Sequence, residues 1–202
     1  MKKLIIIVLI VSVLIAGCKL DGKIFGKSSN LTVVQDIAKD YYKTHTYSKV
    51  DFFVCSDMSI DVWNLIKSKG IDAKIMAGNI NKNLSKSEGW EYIRQMDHTW
   101  VLAQINSTKW VAVEATGGFI VKDNQSYFEG ISFDSPKEFK EFAELRDDAF
   151  DICKEADEMV NTWNSQYAGE SYSLEIAEFE GRVKQKVEDC KDVTDRVNGY
   201  LS

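Results

Sequence analysis

The chain has 202 residues, of which 45% are hydrophobic and 28% are charged, so it is long enough for one domain with a substantial core or for a domain with an appendage. Its formal net charge is -6, and its lysines and arginines form no block that would neutralise phosphates. These properties argue against nucleic acid as a partner.

The amino-terminal residues are typical of a signal peptide. A basic Met-Lys-Lys start is followed at residues 4–16 by an apolar stretch that is shorter than the ~20 residues a transmembrane helix needs. The Leu-Ile-Ala-Gly-Cys sequence at its end resembles the lipobox of lipoproteins, which implies cleavage before Cys18 and a lipid on its thiol. An uncleaved anchor and plain secretion are the alternatives. We therefore predict a signal peptide at 1–17 and a lipidated tether at 18–30, with the lipid on Cys18 holding the chain on the extracytoplasmic face of the cell membrane.

Four cysteines occur in the chain, at Cys18, Cys55, Cys153 and Cys190. If Cys18 carries a lipid, three remain, and an odd number outside the cytoplasm leaves one thiol over or pairs it between chains. The simplest allocation is a Cys153–Cys190 disulfide with Cys55 outside it, and the alternative is two buried thiols at 153 and 190. We expect no metal and no cofactor, because there are only two histidines and no closely spaced pair of cysteines.

Two helices are predicted in the first part of the mature chain. Apolar residues recur at helical spacing over 31–42, with Asn30 or Thr32 as the cap. A second helix is expected from Cys55 onward, because the apolar residues that follow this cysteine fall on one helical face. Gly70 is well placed to end that helix in the left-handed conformation.

A strand and a polar segment follow the second helix. Residues 71–77 have a strand pattern, and the lysine- and asparagine-rich stretch at 79–91 is interpreted as a mobile loop. Trp90 lies in this polar stretch, so we consider it a candidate for the wall of a binding cleft. Core packing is the simpler explanation for Trp63 and Trp110.

A hairpin is predicted after the polar stretch. The Asn-Ser-Thr sequence at 106–108 indicates a turn between strands at 99–105 and 109–115. Without a bulge, this turn places His98 and Glu114 near the same level on neighbouring strands. A position beside His98 would explain why an acid is tolerated within the apolar sequence Trp-Val-Ala-Val-Glu-Ala.

The carboxyl-terminal part has the pattern of two long helices. Asp-Ser-Pro-Lys-Glu at 134–138 is a strong helix start, with a capping serine, a proline at the first helical position and a glutamate that completes a capping box. The short connection near Gly169 predicts an antiparallel helical hairpin over 134–202, which offers a surface for a protein partner. With the helices and strands that precede it, the hairpin predicts an α+β fold.

Cys55, His98 and Glu114 together point to covalent catalysis. Unpaired amide groups at a helix start stabilise a thiolate, which lowers the pKa of a cysteine from ~8.5 toward neutrality. A thiolate nucleophile needs a partner that holds the ion pair and protonates the leaving group, and His98 is suited to this role. Glu114 is placed to fix the orientation and tautomer of the imidazole.

Two stretches resemble the transglutaminase-like superfamily, whose members share a papain-like fold. They are "CSDMSIDVWNLIKSKGIDAKIMAGN" and "HTWVLAQINSTKWVAVEATGG". The family pattern is a helix-opening Cys, a Gly-Ile-x-Ala strand, His-(Ala/Thr)-Trp-Val and Trp-Val-x-Val-Asp, and the match covers about residues 50–118. The resemblance implies a transglutaminase-like domain at 31–133, in which a helix bearing the cysteine packs on an antiparallel sheet.

The resemblance also implies roles for individual residues. Cys55 matches the nucleophile, His98 the general base and acid, and Glu114 the acid of the family. Two positions depart from the pattern, because the acid is usually Asp and because Phe53 stands where Gly is common. No calcium is implied, since the chain lacks the extra domains of the calcium-dependent members.

Two functions follow as hypotheses. In the first, the protein is a thiol acyltransferase that acts on protein or peptide amides, either as a peptidase or amidase or as a crosslinking enzyme. In the second, it is a catalytically inactive binding or scaffold module at the cell surface. In that case Cys55 and His98 are core residues.

Overall fold

The computed structural model of the protein describes residues 29–45, 53–82, 84–171 and 173–202. The predicted signal peptide, Cys18 and all but the last two residues of the predicted tether lie outside the described residues. Within the described part of the chain, none of the helices has the length and hydrophobicity required to cross a membrane.

Two helices precede the sheet. Helix α1 spans Asn30–Thr44 and helix α2 spans Phe53–Ser68. The cap of α1 is Ser29, whose hydroxyl accepts a hydrogen bond from the amide of Thr32, so the expected cap at position 30 or 32 is wrong by one residue or more. Serine fits this position because its short side chain reaches the unpaired amides of the first turn. After α2 the chain turns at Gly70, which has a φ of +72° as expected.

The sheet has five strands, and every neighbouring pair is antiparallel. Their order across the sheet is β4-β3-β2-β1-β5. The strands are β1 at Ala73–Gly78, β2 at His98–Gln104, β3 at Trp110–Glu114, β4 at Phe119–Val121 and β5 at Ile131–Phe133. The longest strands are β2, at the centre of the sheet, and its neighbour β1, and β2 carries His98 as its first residue.

The segment between β1 and β2 is more ordered than its polar composition predicted. A 3-10 turn spans Lys86–Glu88, and a short helix, α3, spans Trp90–Arg94. The interpretation of 79–91 as a mobile loop is therefore wrong over its second half. The physical reason is a capping box in which Ser85 accepts from backbone amides and Glu88 accepts from the amide of residue 85.

The carboxyl-terminal helices form the predicted antiparallel hairpin. Helix α4 spans Pro136–Thr162, continues as a π-helical turn at Trp163–Tyr167, and is followed by helix α5 at Leu174–Asn198. Ser135 caps α4, as expected, by accepting a hydrogen bond from the amide of residue 138. The predicted Cys153–Cys190 disulfide is also confirmed and joins the two helices, with their Cα atoms 4.8 Å apart.

One face of the sheet carries both main parts of the core. Ile75 on β1 is paired with Val101 on β2, so both side chains lie on the same face. Val101 packs in a cluster with residues of α1 and α2, whereas Ile75 packs in a cluster with residues of α4 and α5, including Phe142 and Val197. The hairpin therefore shares a hydrophobic core with the sheet, and α2 lies between it and α1.

Candidate functional site

Cys55 lies in the first turn of α2, as the sequence predicted. It is the third residue of the helix, and only 4% of it is exposed. The amide groups of a first helical turn have no partner within the helix, so they favour negative charge on a nearby side chain. The thiol is hydrogen-bonded to His98. Cys55 is not part of the disulfide, so its sulfur is reduced.

His98 begins β2 and contacts both other members of the predicted constellation. Its Nε2 atom lies 2.6 Å from Oε2 of Glu114, and 13% of its side chain is exposed. An imidazole has two ring nitrogens, so the hydrogen bond to Glu114 leaves Nδ1 for Cys55. The ring is also stacked on Trp100, with the two centroids 5.8 Å apart. These contacts hold the imidazole between an acid and a thiol.

Glu114 ends β3 and is buried, with 4% of the residue exposed. Its Oε2 atom accepts a second hydrogen bond from the hydroxyl of Tyr127, at 3.1 Å. Its Oε1 atom accepts from the amide of Thr116 at 3.2 Å and from the hydroxyl of the same residue at 2.5 Å. Both carboxylate oxygens are therefore hydrogen-bonded, which offsets the cost of burying the charge.

The alignment of His98 with Glu114 differs from the predicted one. The pairing of Val101 with Val113 places Glu114 opposite Trp100, not opposite His98. The expected level pairing is therefore wrong by two residues. It requires a turn centred on residue 106, whereas the hydrogen bond from the amide of Ile105 to the carbonyl of Lys109 centres the turn on residue 107. Residues two apart on a strand share a face, so the carboxylate reaches the imidazole along the diagonal.

The contacts of His98 and Glu114 move their pKa values in opposite directions. Burial lowers the pKa of His98, but hydrogen bonds to Cys55 and Glu114 and the negative charge of both partners outweigh it and raise the pKa to about 9. Burial raises the pKa of Glu114, but the hydrogen bond and charge of His98 outweigh it and lower the pKa. At neutral pH the pair is an imidazolium and a carboxylate.

Two residues of the site were not predicted. Thr116 follows the acid by two positions in the Glu-Ala-Thr-Gly-Gly sequence, and a hydroxyl at that spacing is a recognisable local signal. Tyr127 is 13 residues from Glu114 in sequence and has no such signal. Burial and the nearby carboxylate raise the pKa of the Tyr127 phenol to about 12. The phenol therefore stays protonated and donates a hydrogen bond to Glu114.

Trp90 packs against the carboxyl-terminal hairpin. The residue opens α3, and its ring packs against Phe150 of α4 with the centroids 5.1 Å apart. It belongs to the cluster shared by the sheet and the hairpin. The ring is partly buried against the hairpin, and its role as a cleft wall stays a prediction.

The described residues contain no group of three or more histidine, cysteine, aspartate or glutamate side chains that could hold a metal ion. The site brings together a cysteine, an imidazole and a carboxylate. No family model, curated protein or solved structure matches the chain.

Proposed function

We propose that this protein is an extracytoplasmic lipoprotein with a transglutaminase-like Cys-His-Glu triad, acting by thiol acyl transfer on protein or peptide amides. The observation that carries the proposal is the position of His98, which is hydrogen-bonded to Cys55 on one side and to Glu114 on the other. A nucleophile, a base and a group that orients the base form the arrangement that this chemistry requires.

In the proposed reaction, the thiolate of Cys55 attacks the carbonyl carbon of an amide and a C–S bond forms. The imidazolium of His98 gives its proton to the nitrogen as the C–N bond breaks, and an amine leaves. Water, which gives an acid, or a second amine, which gives a new amide, then attacks the thioester. His98 accepts the proton of this nucleophile as the C–S bond breaks and the Cys55 thiolate leaves. The first outcome is that of a peptidase or amidase, and the second is crosslinking.

The helix that bears the cysteine supports a papain- or transglutaminase-like core within the α+β fold. It packs on the antiparallel sheet, and the hydroxyl of Ser59 donates a hydrogen bond to the carbonyl of Thr99 at 2.9 Å. The order of cysteine, histidine and acid along the chain also agrees with the resemblance. We further propose that the lipid on Cys18 attaches the protein to the membrane and that the hairpin binds a protein partner.

A second candidate is a catalytically inactive scaffold or binding module that retains the same residues. The burial of Cys55 favours it, because a nucleophile with 4% of its surface exposed offers a substrate little access. In this view the site is a polar network that stabilises the sheet. The two candidates differ in the reactivity that they predict for the Cys55 thiol.

Alkylation of Cys55 by iodoacetamide between pH 5 and pH 9 distinguishes the two functions. We expect Cys55 of the purified protein to react about tenfold or more faster than a model thiol at pH 6, because a neighbouring imidazolium stabilises the thiolate form of the cysteine. His98→Gln should remove this advantage. Mass spectrometry of the modified peptide gives the rate at this one cysteine.

The second histidine provides the matched control for this experiment. His45 follows the last residue of α1, stacks on Tyr41 and has its Nδ1 atom 3.0 Å from the carbonyl oxygen of the same residue. We expect His45→Gln to leave the alkylation rate unchanged. A Cys55 that reacts no faster than a model thiol and does not respond to His98→Gln would contradict the triad and support the scaffold.

A further inference from the structure

A cavity lies between α2, the sheet and α4, with a volume of about 100 Å³. Much of its wall is apolar and is formed by Ile60, Ala77, Phe139, Phe142 and Ala143. Three of them belong to α4, so the cavity is built by the helical hairpin against the cysteine-bearing helix and not by the sheet alone.

The cavity lies beside the proposed triad. Ser56 and Thr99 line it, and they directly follow Cys55 and His98 in the chain. Their hydroxyl oxygens are 3.4 Å apart, which links the first turn of α2 to the start of β2 at this point. The cavity therefore adjoins the first turn of α2 and the start of β2, the two places in the fold at which Cys55 and His98 lie.

The size and charge of the cavity restrict what it can hold. An apolar cavity of about 150 Å³ accepts benzene, so one of 100 Å³ suits a smaller, branched aliphatic group. Two acidic side chains, Asp57 and Asp147, and two basic ones, Lys140 and Arg146, also line it. Because these formal charges balance, the cavity offers no net charge that would select an ionised side chain.

We propose that this cavity is a specificity pocket that receives one uncharged aliphatic side chain, of valine to leucine size, from the acyl part of the substrate. The inference rests on the proposed function and names a substrate class for the same site. Burial of such a side chain next to the scissile amide holds the carbonyl carbon within reach of Cys55. The carboxyl-terminal hairpin is then part of the substrate site.

Chloromethyl ketones of short peptides test the pocket without a known substrate. In this reaction the sulfur of Cys55 displaces chloride and a C–S bond forms. The probes are acetyl-Gly-Gly, acetyl-Leu-Gly and acetyl-Gly-Leu chloromethyl ketones, with iodoacetamide as the reagent that has no side chain. We expect one of the leucine probes to react roughly tenfold or more faster than the Gly-Gly probe, the usual effect of filling an apolar pocket.

Variants of the cavity wall supply the decisive comparison. Ala143→Leu fills the cavity from α4 and should bring the leucine-to-glycine rate ratio close to one, whereas the matched control Ala143→Ser should keep it. Ile60→Ala enlarges the cavity and should shift the preference from leucine to an otherwise identical phenylalanine probe. Iodoacetamide should react equally with all three variants, because none of them alters the triad.

Each outcome decides one of the two proposals. Rapid reaction with iodoacetamide, together with equal rates for the leucine and glycine probes, would overturn the pocket and leave the triad intact. A leucine preference that survives Ala143→Leu in folded protein would do the same. If that variant does not fold, an unchanged preference in Ile60→Ala overturns the pocket. Slow reaction with iodoacetamide would overturn the proposed function and the pocket with it.

Discussion

Glu114 is a charged residue in an apolar strand, and its surroundings account for it. Its two oxygens accept hydrogen bonds from Thr116 and Tyr127 and contact His98. Diagonal neighbours on adjacent strands are farther apart than residues that are directly opposite. The extra methylene of glutamate, relative to aspartate, contributes the reach that this diagonal alignment requires.

The raised pKa of His98 makes the stability of the fold depend on pH. The group has a pKa of about 9 in the folded chain and about 6.5 in the unfolded chain, so its stabilising effect is complete below 6.5 and is lost as the pH rises through 9. We expect the free energy of unfolding in urea to fall as the pH rises through this window. The measurement is a series of urea titrations from pH 6 to pH 9.5.

His98→Gln is the variant that assigns this pH dependence. It removes the titrating group and keeps a side chain that can form hydrogen bonds, so most of the slope between pH 6.5 and pH 9 should vanish. His45→Gln should keep the slope. A wild-type protein whose stability does not change in this window would show that the imidazolium is not held by Cys55 and Glu114.

At the scale of elements, the turn between β3 and β4 contacts Glu114 and helps to fix its position. The amide of Gly118 donates a hydrogen bond to the carbonyl of Glu114 at 2.8 Å, which closes the turn. A Cβ atom at Gly117 would lie 2.7 Å from Cδ1 of Phe119 and 3.2 Å from Cγ of Glu114. Only a glycine allows the aromatic ring and the acid to approach the backbone this closely.

Gly117→Ala should therefore disturb the triad without touching it directly. The added methyl group pushes on both Phe119 and Glu114, and the displaced carboxylate loses part of its contact with His98. We expect the rate of Cys55 alkylation at pH 6 to fall several-fold. Gly181→Ala is the matched control, because a Cβ atom at Gly181 in α5 has open space around it. The control should keep the rate, and it should raise stability by about 0.5–1 kcal/mol.

At the scale of the whole molecule, the hairpin and the sheet form one structure. Phe133 of β5 packs against Phe139 and Phe142 of α4 and against Tyr200 after α5. The disulfide closes the two long helices into a unit that presents this face to the sheet. The same unit supplies the outer wall of the proposed pocket, so its stability and the function of the site are connected.

The disulfide contributes to this stability through the unfolded chain. It closes a loop of 37 residues, for which the loss of chain entropy corresponds to about 3–4 kcal/mol. We expect the Cys153→Ser, Cys190→Ser double variant to lose about this much free energy of unfolding, measured by urea titration. Reduction with dithiothreitol should destabilise the wild type and have no effect on the double variant. Equal unfolding midpoints for wild type and double variant would contradict this.

Features that depend on neighbouring residues were predictable from the sequence. The cap at Ser135, the left-handed Gly70 and the turn at 106–108 each depend on a few consecutive residues. The antiparallel hairpin followed from helical spacing and a short connection, and its geometry made the disulfide the simplest pairing. The capping box that orders Lys86–Glu88 is equally local, but the polar composition around it concealed it.

The sequence by itself therefore determined the long helices, the three longest strands and the order of Cys55, His98 and Glu114 along the chain. Only the tertiary structure decided the diagonal alignment of His98 with Glu114, the contact of Tyr127 and the packing of Trp90 against the hairpin. The physical reason is the separation along the chain of the residues that interact. Caps and turns act over a few residues, whereas these contacts join residues on separate elements, and the packing of the whole sheet and hairpin sets their distances.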